Sequence, residues 1–171
     1  MGTVKTDAIS TAYDFEAYPL GTRYVQPADE VTAANSTHYG DREWIFVYND
    51  EASTALAEGD VLFLDSDYAP YHAILSTTTL HVHRVLGVAG HAIAAGKYGW
   101  IVAKGVCEVN THADVAQGDR LVSTSDANAT TLTLDANATT DNFECVFGMA
   151  LEANTSTTGT PITAVISMPV W

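Results

Sequence analysis

Basic residues are scarce: seven Lys and Arg stand against 21 Asp and Glu, for a formal net charge of −14. Nucleic-acid binding relies on Lys and Arg that displace counterions from phosphates. A chain of this charge is repelled instead, so no nucleic-acid partner is expected. The same reasoning excludes an anionic membrane surface. Long apolar runs are also missing. No segment approaches the roughly 20 apolar residues of a membrane-spanning helix, and the opening "MGTVKTDAISTAYDFEAY" lacks the apolar stretch of a signal peptide. Cysteine is limited to Cys107 and Cys145, too few for a disulfide framework. Their non-equivalent positions in the repeat described below favour two buried thiols over a bridge. Four sequons, at Asn35, Asn128, Asn137 and Asn154, read as Asn/Thr-rich loops.

Helical periodicity is absent as well. No window sustains an apolar stripe at i, i+3, i+4, i+7. "ASTALAEG" and "AGHAIAAG" have room for one or two helical turns each. What the chain does have is Thr, Ser, Asn, Asp, Ala and Val, with 47% hydrophobic and 16% charged residues. That mixture suits strands and turns. Short apolar runs spaced about 8–12 residues apart, with Gly, Asn and Asp between them, predict an all-β fold. The length of 171 residues favours one domain or a doubled one.

The doubling is written in the text. "AEGDVLFLDSD" at 57–67 returns as "AQGDRLVSTSD" at 116–126, and "RVLGVAGHA" at 84–92 returns as "CVFGMALEA" at 145–153. "WIFV" at 44–47 precedes the first Gly-Asp, "WIVA" at 100–103 precedes the second, and "ITAVI" at 162–166 closes the series. Gly-Asp reads as a turn that launches a strand, because Gly adopts positive φ cheaply and Asp bonds nearby backbone. Gly87 and Gly148 inside apolar strand text mark a bulge, a bend or a close backbone approach. "VLFLDS" is continuously apolar, as in a strand buried on both faces. The expected fold is a small β-barrel or β-tulip-like domain at 41–171, built from two pseudo-symmetric halves at about 44–97 and 100–161. Closure of such a strand set removes its edges.

Residues 1–40 lie outside the repeat and predict an extended N-terminal arm. Tyr13, Phe15, Tyr18 and Pro19 make it too aromatic for a disordered tail and too irregular for a barrel. It docks either on its own barrel or on a neighbour, and Trp171 at the other end is a further anchor. These five residues are the candidate interface. Residues 124–142 read as an exposed polar hairpin or loop.

Motifs for chemistry are few. Asp60 with Asp119, and Asp67 with Asp126, are repeat-related carboxylate pairs such as aspartic proteases use. The Asp-Thr/Ser-Gly loop of those enzymes is missing, so all four read as turn-formers. No Gly-x-Ser-x-Gly elbow, P-loop or dinucleotide fingerprint appears. His81 and His83 alternate in "LHVHRV", so a strand aims both at one face. That is half a zinc site without the remaining ligands. Lys5, Lys97 and Lys104 are not placed like the modified lysine of lipoyl-type carriers, which share the Gly-Asp element. No catalytic residue, metal or cofactor is expected.

"PLGTR", "ALAEGDVLFLD", "VLGVAGHAIAAGKYGWIVAKGVCEV" and "VAQGDRLVSTSDA…VFGMALEA" together resemble small structural proteins of tailed bacteriophages, above all the capsid decoration or cement proteins. The resemblance covers most of residues 20–166. It implies a virion protein on the outer surface of the head that stabilises the capsid shell, with the major capsid protein as partner. It further implies a homo-oligomer, trimer first, and no catalysis. Two other readings stay open. One is a head or tail fibre module that binds host glycans through aromatics such as Trp44, Trp100 or Tyr98. The other is an enzyme on a duplicated barrel.

Overall fold

The computed structural model describes residues 9–35, 37–66, 69–75, 85–112, 114–123, 129–131, 146–155 and 158–168. The chain is nearly all β. Its elements run β1 (Arg23–Gln26), α1 (Ala28–Ala34), β2 (Arg42–Asn49), β3 (Val61–Ser66), β4 (Ala69–Ile74), β5 (Val85–Ala89), β6 (Tyr98–Thr111), β7 (Arg120–Ser123), β8 (Ala129–Thr131), β9 (Val146–Ala150) and β10 (Thr160–Ser167). The strands form one sheet in the order β1-β2-β4-β3-β5-β6-β10-β9-β7-β8, with further pairings β2–β6 and β6–β8.

Those extra pairings turn the sheet back on itself twice. One circuit runs β2-β4-β3-β5-β6 and returns to β2. The other runs β6-β8-β7-β9-β10 and returns to β6. Each circuit has one short parallel contact, Tyr48↔His72 and Asn49↔Ala73 in the first and Thr111↔Ala129 in the second. Every other pairing is antiparallel. Strand for strand the connectivity is the same, and β6 serves both: it closes the first circuit and opens the second.

The repeated text explains the repeated geometry. Gly59 and Gly118 both have positive φ, +87° and +90°. The amide of Gly59 donates to Ala89 O and that of Gly118 to Ala150 O, each at 2.8 Å. Asp60 Oδ2 accepts from the Ala57 amide at 2.7 Å, and Asp119 Oδ2 accepts from the Ala116 amide at 2.8 Å. Gly87 faces Leu62 as Gly148 faces Leu121, with a register shift beside each. The cause is close approach. A Cβ on Gly87 would lie 2.6 Å from Val102 O, and one on Gly148 2.8 Å from Val165 O.

Two readings of the text change in three dimensions. "WIFV" and "WIVA" are adjacent strands of one circuit, with Phe46 opposite Trp100. The segment that opens the second circuit is the later half of β6, which pairs with β10 from Lys104 to Thr111. Gly105, at φ +112°, sits where β6 passes from β2 to β10. "ASTALAEG" and "AGHAIAAG" do not coil either. Leu56 and Ile93 form an isolated antiparallel bridge, donating to each other's carbonyls at 2.9 and 3.0 Å. Helices this short hold little stability in water, and both side chains are instead drawn fully into the core. The one helix among the described residues is "ADEVTAA", inside the N-terminal segment.

Two apolar clusters form the core. One, with Ile45, Val47, Leu62, Leu86, Ile93 and Ile101, draws only on the first circuit. The other spans both circuits through Trp44, Phe46, Phe63, Trp100, Val109, Leu121, Phe147 and Ile162. Neighbouring residues on β2, β3 and β6 enter different clusters, so these strands are buried on both faces, as the apolar run "VLFL" required.

Gly87→Ala and Gly148→Ala each press a methyl against a neighbouring strand's carbonyl. Overpacking of this kind costs about 1–3 kcal/mol. Urea unfolding should place both variants below the wild type by similar amounts. A loss under ~0.5 kcal/mol in either would mean that the strands can part to admit a methyl.

Candidate functional site

Four of the five expected interface residues, Tyr13, Phe15, Tyr18 and Pro19, sit on the segment leading into β1. Tyr13 exchanges backbone hydrogen bonds with Tyr98, its amide donating at 2.8 Å and its carbonyl accepting at 3.0 Å. Further on, Gly21 donates to Phe46 O and Phe46 donates to Thr22 O, both at 2.9 Å, and β1 then pairs with β2. The segment is therefore stitched along the chain's own sheet. Gly21, at φ +81°, makes room for Tyr71, whose ring a Cβ there would strike.

Its aromatics do not act alike. Tyr18 packs on Phe46 and Trp100, with centroids 5.3 and 5.2 Å apart, and Tyr13 packs on Phe46 at 5.9 Å. Both are half-buried against the larger core cluster. Edge and tilted ring contacts of this kind add about 0.5–1.5 kcal/mol beyond burial. Phe15 points away, 67% exposed, touching only the edge of Tyr13 among the ring contacts. Pro19 is exposed. Asp14 beside Phe15 pairs with Lys97 at 2.8 Å, and Glu16 Oε1 accepts from the Leu20 amide. A single apolar ring thus protrudes between carboxylates. Trp171 lies outside the described residues, as do His81, His83, Asp67, Asp126 and Cys145.

Sequence reasoning missed a second attachment, a buried polar clasp below α1. Asp41 Oδ1 accepts from the Ala28 amide at 2.9 Å and so satisfies a free donor at the start of the helix. Arg42 donates to Val106 O from Nε at 2.9 Å and from Nη2 at 2.5 Å. Its Nη2 also lies 2.6 Å from His38 Nδ1. On the other side of the ring, His38 Nε2 lies 3.2 Å from Glu108 Oε1. Arg42 stacks over Trp44 at 5.4 Å, and the Trp44 indole donates to Gln26 Oε1. Burial pulls the Arg42 pKa down, and the neighbouring Cys107, Glu108 and Glu58 oppose that pull. His38, Arg42 and Glu108 are scattered in the text, so no spacing announces them.

Asp60 and Asp119 are each spent on their own turn. Burial raises the Asp60 pKa, opposed by hydrogen bonds from Ala57 and Asn110. Among the described residues no group of three or more His, Cys, Asp or Glu is placed to hold a metal ion, and no helix is long and apolar enough to cross a membrane. Asn154, one of the sequon residues, is only 2% exposed and donates to Thr111 Oγ1 and His112 O, both at 3.1 Å.

Cys107 is a buried free thiol whose pKa is pushed up to about 12, mainly by burial. At pH 8 its thiolate fraction is then on the order of one in 10⁴. Iodoacetamide at pH 8 should leave Cys107 unmodified in the native protein and alkylate it readily in urea, as read by peptide mass spectrometry. Rapid native labelling would mean that the β6–β10 region opens often.

No curated protein matches the sequence. Among solved structures, the head fibre gp8.5 N base of bacteriophage phi29 is similar, with 19% identity and a TM-score of 0.45, over 75% of this chain and 98% of that one. The profile of one family, described as phage cement protein, matches residues 50–166. That span takes in β3 through most of β10 and holds both Gly-Asp turns, and the chain belongs to the phage cement protein family.

Proposed function

We propose that this virion structural protein binds the exterior of a phage head and stabilises the capsid shell, with the major capsid protein as its partner. The observation that carries the reading is the family match from β3 through most of β10. A ligand that binds only the assembled shell stabilises it by RT ln(1 + [L]/Kd) per site. At a hundredfold excess over Kd that is about 2.7 kcal/mol at each of many sites. The net charge of −14 suits a position away from packaged DNA, where like charges repel. A trimer is the proposed oligomer, and no catalytic role is assigned.

Phe15 is the proposed contact residue. Tyr13 and Tyr18 are already engaged on their own sheet, and the protruding Phe15 has apolar surface left to bury. Burying a large apolar side chain is worth roughly 1.5–3 kcal/mol. Phe15→Ser should therefore weaken attachment to particles stripped of this protein by about tenfold or more. The measurements are occupancy on the head by electron microscopy and the temperature at which the head releases its DNA. Wild-type occupancy with Phe15→Ser would remove Phe15 from the interface. Failure of the wild-type protein to bind heads or raise that temperature would remove the decoration role itself.

A further inference from the structure

We propose that His38 is an acid-sensitive latch: neutral, it holds α1 and the turn after it on β6, and protonated it releases them. The proton rule follows from geometry. A guanidinium can only donate, so Arg42 Nη2, 2.6 Å away, is the donor and His38 Nδ1 the bare acceptor. A neutral imidazole carries one proton, which must then sit on Nε2, facing Glu108 Oε1 at 3.2 Å. Asn35 Nδ2, 3.4 Å from the same Nε2, is another donor and receives nothing from it. The backbone at His38 completes the hold on the helix, its amide donating to Asn35 O at 3.0 Å and its carbonyl accepting from Thr32 Oγ1 at 3.2 Å.

A second proton has one place to go, Nδ1, where it meets the N–H of Arg42. The contact turns from donor–acceptor to donor–donor between two cations. Arg42 cannot step aside without giving up Val106 O, its partner on β6. The groups around the ring offer little in return. From α1 come Thr32 and Asn35, both uncharged. From β2 comes Arg42. From β6 come Glu108 and the Cys107 thiol, which interacts electrostatically with Arg42. The loop before β3 supplies Glu58, which acts on Arg42. From β10, Thr163 Oγ1 shares Glu108 Oε1 at 3.5 Å.

Glu108 favours a charged ring, but it already accepts from the neutral one. Its side chain is 29% exposed and screened by water, whereas that of His38 is 5% exposed. Proton uptake therefore requires that Arg42 and His38 separate. The latch is intact while the ring is neutral and opens once acid protonates it.

Hydrogen exchange on the full chain at pH 7.5 and pH 5.0, corrected for the intrinsic exchange rate, tests this. Amides of α1 and its C-terminal turn should lose at least tenfold in protection at pH 5.0 relative to those of β6. His38→Asn keeps an acceptor for Arg42 and cannot be charged, so it should abolish the difference. His72→Asn, at the exposed pair with Asp50, should leave it unchanged. Equal protection of α1 at both pH values overturns the proposal, and so does a difference that survives His38→Asn. Should His38→Asn not fold, ring ¹⁵N spectra of the wild type decide. An Nδ1-protonated neutral ring at pH 7.5, or a ring that titrates while the α1 amides stay protected, overturns the proposal equally.

Discussion

The backbone of β6 is the constraint on which the rest depends. A strand has two edges, and every buried N–H and C=O along them needs a partner. Over fourteen residues β6 offers those edges to β2, β5, β8 and β10. Neither circuit can return on itself without it. Its two-sided burial comes from packing on both faces: Trp100 enters one core cluster and Ile101 the other. Gly105 lets one strand do both tasks: at φ +112° it redirects the chain, and a Cβ there would strike Asp41 O at 2.7 Å.

Around that strand the two units solve one problem with different chemistry. Where the first unit buries Asn49 and donates from its amide to Ile93 O at 2.8 Å, the second buries Asn154 and donates to Thr111 Oγ1. The asparagine has moved to the other side of the same junction, and the junction stays bonded. The Gly-Asp turns diverge in their surroundings. Asn110 Nδ2 donates to Asp60 Oδ1 at 3.0 Å and to Glu58 O at 3.1 Å, so the first turn is pinned to β6. A Cβ on Gly118 would meet nothing within 4 Å. The first turn is thus packed into the junction of the circuits, and the second stands open at the surface.

The N-terminal segment joins this sheet by two unlike contacts. Along residues 13–26 the attachment is strand pairing with aromatic packing. Around α1 it is a buried guanidinium and imidazole beside a partly exposed carboxylate. In the proposed decoration role, a strand-built body and a separately attached segment would serve different ends. The body keeps its shape while the segment carries surface such as Phe15.

The sequence alone determined what local chemistry controls. Gly59, Asp60, Gly118 and Asp119 announced two equivalent turns because glycine and aspartate carry their turn preference in the residue itself. Gly87 and Gly148 announced close approach because only a missing Cβ allows it. The all-β class followed from composition and spacing, and the resemblance to cement proteins from glycine-rich text that the family match covers. Only the tertiary structure decided the rest. Two Trp-Ile strands with similar text proved to be neighbours in one circuit, since pairing partners depend on which edges remain open. Tyr13, Tyr18 and Phe15 lie within six residues of one another, yet two face the core and one faces solvent. His38, Arg42 and Glu108 meet because β2 and β6 pair, a contact between residues far apart in the chain that no local pattern encodes.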